Sequence, residues 1–165
     1  MNRICWLTLL TALVGSLLVD RDLRAEHEGK VQILLLGDSN TVAGNYVGLS
    51  ADGTTVAGNN SNDTADQGGI RIESASNTIG GTVIADRNVI SGNRRAGIQL
   101  FGAGATGNDI YGNYVGLDAV GTLDRGNGGE GIDFQFSVGN TIGGPLAGQR
   151  NVISGDRKST RLNSS

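Results

Sequence analysis

Three acids and three arginines are the side chains that could do chemistry in this 165-residue chain: Asp109, Glu130 and Asp133, with Arg71, Arg94 and Arg95. Cleaving or epimerising a polysaccharide takes positioned carboxylates, one to give a proton and one to take it or to attack, commonly beside a cation. Such acids must gather on one face. Here the candidates change type from one repeat to the next, which predicts a solvated surface rather than a column of acids, so no catalytic residue is assigned. Gly128-Gly129-Glu130-Gly131-Ile132-Asp133 also opens like the calcium-binding nonapeptide GGxGxDxUx. The bulky position of that motif falls on Gln135 and the motif occurs once, so Asp133 is expected to be an outward strand residue. Calcium bridged by acidic loop residues such as Asp118 or Asp124 is the one metal the sequence leaves room for. No other cofactor is expected.

Tyr46 and Tyr114 occupy the same repeat position, with Tyr111 close to the second. A tyrosine can stack on a sugar ring or pack over a strand as an amphipathic shield. Packing is the expected role, and Tyr46, Tyr114 and Asp133 are kept as the candidate ligand-binding residues. Arg87 and Arg150 recur before Asn88 and Asn151 and are expected to bond loop carbonyls. The single Cys5 and single His27 offer neither a disulfide nor a zinc site. A net charge of -3 without a basic face argues against a nucleic-acid partner.

These residues are carried by a repeat. Asn77-Thr78-Ile79-Gly80-Gly81 with Arg87-Asn88-Val89-Ile90-Ser91-Gly92 returns 63 residues on, as Asn140-Thr141-Ile142-Gly143-Gly144 with Arg150-Asn151-Val152-Ile153-Ser154-Gly155. A second phrase alternates with it: Gly44-Asn45-Tyr46-Val47-Gly48-Leu49 returns 68 residues on, as Gly112-Asn113-Tyr114-Val115-Gly116-Leu117. Before each comes a short alternating run: Val31, Ile33 and Leu35; Ile70 and Ile72; Ile98 and Leu100; Ile132, Phe134 and Phe136. Period-2 alternation means one buried face and one wet face. The wet face is expected to carry Gln32, Arg71, Gln99, Asp133 and Gln135, and the Asn-x-apolar phrases to form a second strand. Gly and Asn tolerate left-handed backbone and so turn corners after a few residues. With 28 Gly but 1 Pro, collagen is excluded. Helical periodicity is lacking after residue 28.

Short strands, Gly/Asn corners and a long repeat predict an all-β parallel β-helix solenoid of about four coils over residues 29–155. Parallel crossovers are almost always right-handed. Val31, Ile33, Ile70, Ile72, Ile98, Leu100, Ile132 and Phe134 should point inward in stacked columns. Asn40, Asn77, Asn88, Asn108, Asn140 and Asn151 should stack from coil to coil. Uneven coil spacing is attributed to inserts, the longest at Ser50–Asp66 and Asp118–Gly128.

The alternating NTIGG…RNVISG and GNYVGL phrases resemble those of bacterial secreted proteins with right-handed parallel β-helix repeats, over residues 29–155. The resemblance implies the superfold shared with pectate lyases, on which many activities and also inactive modules occur. It points to a structural or adhesive module of an exported or cell-surface protein, with a carbohydrate-binding or polysaccharide-modifying protein as the alternative. The implied partners are extracellular polysaccharide or cell-surface material, and further β-helix coils of a longer chain. Asn59-Asn60-Ser61 and Asn62-Asp63-Thr64 are glycosylation sequons, which a bacterial chain would seldom use.

The ends read differently. Basic Met1-Asn2-Arg3 before uncharged Ile4–Val19 has the pattern of an export signal or short anchor, and residues 20–28 of a linker. The run is short for a membrane span, and none is expected elsewhere. Residues 156–165 resemble a translated sequencing adapter and are expected to add nothing to the solenoid. The last coil is then expected to break off before a cap, leaving an open, association-prone edge.

Overall fold

The computed structural model describes residues 33–59 and 68–154. The candidate signal, Val31, Gln32, the sequon at Asn62, part of the first insert and the adapter-like tail lie outside the described residues. Within them, alternating runs and Gly/Asn corners produce twelve short strands in four coils. Coil 1 contains β1 (Ile33–Leu35), β2 (Thr41–Val42) and β3 (Tyr46–Val47). Coil 2 contains β4 (Ile70–Ile72), β5 (Thr78–Gly80) and β6 (Val89–Ile90). Coil 3 contains β7 (Ile98–Phe101), β8 (Asp109–Tyr111) and β9 (Tyr114–Val115). Coil 4 contains β10 (Ile132–Gln135), β11 (Thr141–Ile142) and β12 (Val152–Ile153). Each coil therefore has three strands where the sequence suggested two. They assemble into three four-stranded parallel sheets, β1-β4-β7-β10, β2-β5-β8-β11 and β3-β6-β9-β12, which is a parallel β-helix.

The register makes the expected columns. Ile33, Ile70, Ile98 and Ile132 are successive partners in the first sheet, as are Leu35, Ile72, Leu100 and Phe134. Val42, Val47, Ile79, Ile90, Ala105, Ile110 and Val115 complete the interior, and each fully buried Val, Leu or Ile side chain contributes about 1.5–3 kcal/mol. Coil 1 is thus registered on Ile33. Phe134 sits at an inward position yet is 48% exposed, because among the described residues nothing stacks on coil 4.

The stacked asparagines divide differently from the expected single set. Asn40, Asn77, Asn108 and Asn140 form one ladder, and Asn45, Asn88, Asn113 and Asn151 a second, at the two corners flanking the second sheet. In both, an amide Oδ1 accepts from the backbone N–H and the Nδ2 of the asparagine one coil earlier, as Asn108 Oδ1 does from Asn77 at 2.8 and 2.9 Å. Corner N–H groups that no sheet can pair are satisfied this way. A third ladder, Asn59-Asn93-Asn127, guards the remaining corner. Asn59, the asparagine of the first sequon, is buried in it.

The two repeated phrases are one structural element with its insert moved. In coils 2 and 4 the insert lies between the second and third strands and carries a 3-10 turn, Ile84–Asp86 or Ala147–Gln149. In coils 1 and 3 it follows the third strand as a small hairpin, closed by Leu49 with Val56 and by Leu117 with Asp124. Inserts of alternate coils reach each other. Ala119 N–H donates to the Gly53 carbonyl at 2.9 Å and Arg125 Nε to the Thr54 carbonyl at 2.6 Å. At Gly80 (φ +87°) an added Cβ would overlap the Tyr111 carbonyl, so that corner admits glycine alone.

Candidate functional site

The outer face of the first sheet collects most of the polar candidates. Arg71, Gln99 and Asp133 are register partners on β4, β7 and β10. Arg71 donates to Glu73 and to Gln99 Oε1, and its guanidinium lies 4.0 Å from the centre of the Phe101 ring. Gln99 Nε2 donates to Asp133 Oδ2 at 3.3 Å, and Gln135 Nε2 donates to the same oxygen at 2.7 Å. The result is a continuous stripe, Glu73-Arg71-Gln99-Asp133-Gln135, in which the Gln99 amide bridges the Arg71–Glu73 ion pair to Asp133. Gln99 was expected on the wet face. It does point outward but is only 2% exposed, because its charged neighbours close over it.

At one edge of this stripe Arg94, Arg95, Gln99, Glu130, Asp133 and Gln135 line a shallow cleft of about 380 Å³. The corners leading into coils 3 and 4 supply the two arginines and Glu130, and the strands supply the rest. The walls are mostly polar, which suits hydroxyl-rich or charged ligands more than apolar ones. Asp109 is not part of it. It lies on β8 in the second sheet, where it bonds Tyr111 and holds that phenol above its ordinary pKa. The acids that sequence reasoning grouped are therefore split between two sheets. Among the described residues no three His, Cys, Asp or Glu side chains converge on a point that could hold a metal ion.

Tyr46 and Tyr114 project outward from the third sheet, separated in register by Val89. Each ring packs on the hairpin of its own coil, Tyr46 against Gly53 and Tyr114 against Gly121. Arg87 covers Tyr114 at 3.9 Å from the ring centre while Nε donates to the Gly112 carbonyl at 3.1 Å. Arg87 thus anchors an insert as expected. The tyrosines stand on a different sheet from Asp133, so the three candidate ligand residues do not form one site.

Asp118 closes its hairpin by accepting from the N–H groups of Thr122 (2.7 Å) and Leu123 (2.9 Å), and the Leu123 N–H foremost holds its carboxyl below the ordinary range. Asp124 Oδ1 accepts from the Gly126 N–H at 2.8 Å. Both acids considered for a calcium bridge are bonded into their own loops.

Sequence reasoning missed the Gln99 bridge and the Arg71–Phe101 pair. Both arise from register between residues 28 apart or more, or from side-chain reach across a strand. The visible signal was only that Arg71, Gln99 and Asp133 occupy the same place in three repeats. Comparison with protein-family models, curated proteins and solved structures finds no match to this chain.

Proposed function

We propose that this chain is a structural or adhesive solenoid module of an exported or cell-surface protein. One observation carries the reading: polar and aromatic residues that recur with the repeat bond to a neighbouring coil or to their own insert. The asparagine ladders, Arg87 over Tyr114 and Arg125 on the Thr54 carbonyl all hold coil to coil. Repeat chemistry used in this way yields a stiff rod that presents its inserts along two sides. The basic start followed by the uncharged Ile4–Val19 run supports export. The test fuses the whole chain to a phosphatase that is active only outside the cytoplasm and fractionates the cells. Activity in the envelope or medium is expected, and activity confined to lysed cytoplasm would sink the reading.

The polar cleft beside Asp133 favours a second reading, a carbohydrate-binding face on the first sheet. Titration with pectin and alginate oligomers, read by calorimetry and by release of reducing ends, separates the two. Binding lost in Asp133→Ala would establish the carbohydrate face. Turnover lost in the same variant would make the chain an enzyme.

A further inference from the structure

Inserts and corner glycines alternate from coil to coil at two corners of the solenoid. After the third sheet, coils 1 and 3 carry hairpins and coil 2 passes between them as Gly92. A Cβ at Gly92 would overlap Val56 of the coil 1 insert, while its N–H donates to the Arg125 carbonyl of the coil 3 insert at 2.7 Å. Between the second and third sheets, coils 2 and 4 carry the inserts and coil 3 passes as Gly112. A Cβ there would overlap the Gly81 carbonyl of coil 2 and the Gly148 carbonyl of coil 4. The inserts meet past the thin coil. The Ala119 N–H and Arg125 Nε of coil 3 donate to the Gly53 and Thr54 carbonyls of coil 1 at 2.9 and 2.6 Å. On the other corner, a Cβ on Gly148 of coil 4 would overlap the Thr82 carbonyl of coil 2. Val89 shows the effect on the coil between. It points outward from β6 with Tyr46 and Tyr114 as register neighbours, yet it is buried.

Strands of successive coils lie about 4.8 Å apart, too close for a two-chain insert on every coil of one corner. An insert on every second coil has twice that room, and this is why the sequence phrases return after two coils and not after one. In an ordinary solenoid each coil contacts only its neighbours and opens against them alone. We infer that the inserts act here as interleaved straps, tying coil 1 to coil 3 and coil 2 to coil 4, so that no coil detaches from its neighbour without also breaking a contact with the coil beyond. The straps stiffen the rod whether or not the chain is exported, so this inference stands apart from the functional reading above.

Amide hydrogen exchange of the full 165-residue chain in low denaturant, read residue by residue by NMR, is the test. The Val89 N–H bonds the Asn45 carbonyl and reports the join of coils 1 and 2. The Tyr114 N–H bonds the Asn88 carbonyl and reports the join of coils 2 and 3. Ala119→Pro removes the strap's donor from coil 3. Its own turn, closed by the Gly121 N–H on the Asp118 carbonyl, accepts proline at that second position. Combined with Arg125→Ala, it should speed exchange at Val89 about tenfold, the effect of two lost hydrogen bonds, and leave Tyr114 within about twofold. A stack coupled only between neighbours behaves the opposite way: the lesion lies in coil 3, so Tyr114 quickens and Val89 does not. That pattern, or equal changes at both amides, would overturn the inference. Should the double variant fail to fold, Arg125→Ala alone decides by the same comparison, with about a threefold effect expected at Val89.

Discussion

Coils 2 and 4 carry the same phrase and have different physics. Ile79 and Ile90 of coil 2 are 0% exposed, while their repeat mates Ile142 and Ile153 in coil 4 are 38% and 45% exposed. Ser91 Oγ donates to the Leu117 carbonyl of coil 3 at 2.7 Å, whereas Ser154 is exposed. Arg87 lies on Tyr114 of coil 3, and Arg150 is exposed in coil 4. Side-chain type and local backbone are shared. What differs is the coil above, which among the described residues coil 2 has and coil 4 does not. In a solenoid each repeat is stabilised by its own folding and by contact with its neighbours, and comparing these two coils isolates the second contribution.

The largest expected contrast is at the corner glycines. Gly80→Ala should cost on the order of 4 kcal/mol, from a left-handed residue with a Cβ driven into the Tyr111 carbonyl. Gly143→Ala, whose nearest neighbour would be the Gln149 carbonyl oxygen at 3.5 Å, should cost about 1 kcal/mol for its φ of +72° alone. Urea unfolding of the two variants reads the difference, and equal losses would mean that the glycines serve the turn and not the stacking. Ile90→Ala should follow at about 3 kcal/mol, against about 1 kcal/mol for half-exposed Ile153→Ala. Should Ile153→Ala cost as much as Ile90→Ala, the end of coil 4 is covered in solution. Arg87→Ala should lose about 1 kcal/mol through its tyrosine and carbonyl contacts. Arg150→Ala should fall within the roughly ±0.5 kcal/mol of an ordinary surface change.

The smallest effect is a control drawn from coils 1 and 3, whose hairpins are each closed by a local carboxylate. The Thr55 hydroxyl, then the Thr55 and Thr54 N–H groups, lower the Asp52 pKa from 3.8 to about 2. Asp118 is lowered in the same sense. A carboxyl depressed by folding stabilises above its unfolded pKa, and that contribution disappears as pH falls through the folded value. Wild-type stability should therefore exceed that of Asp118→Asn at about pH 5, and the gap should narrow as pH falls below the ordinary carboxylate range. A gap independent of pH would mean that shape and not charge closes the loop.

The fold was legible because its causes are local. Period-2 runs such as Ile70-Arg71-Ile72 fix which side chains face inward, and Gly and Asn at the corners fix where the chain turns. Even the stacking of asparagines could be read, since only a coil-to-coil repeat explains an amide returning at each strand start. The site was less legible. Arg71, Gln99 and Asp133 could be placed on one face, but their joining into a bonded stripe depends on parallel register and on rotamers chosen by neighbours.

By itself, then, the sequence determined the solenoid, its inward columns and its corner residues, since these follow from side-chain size, polarity and backbone freedom within a few positions. Tertiary structure alone decided that there are three strands per coil, that the asparagines sort into separate ladders and that inserts of alternate coils touch. It also decided that Gln99 is buried while Phe134 is not. Burial belongs to the pair of coils and not to either one: a side chain is covered only if the next coil lies over it.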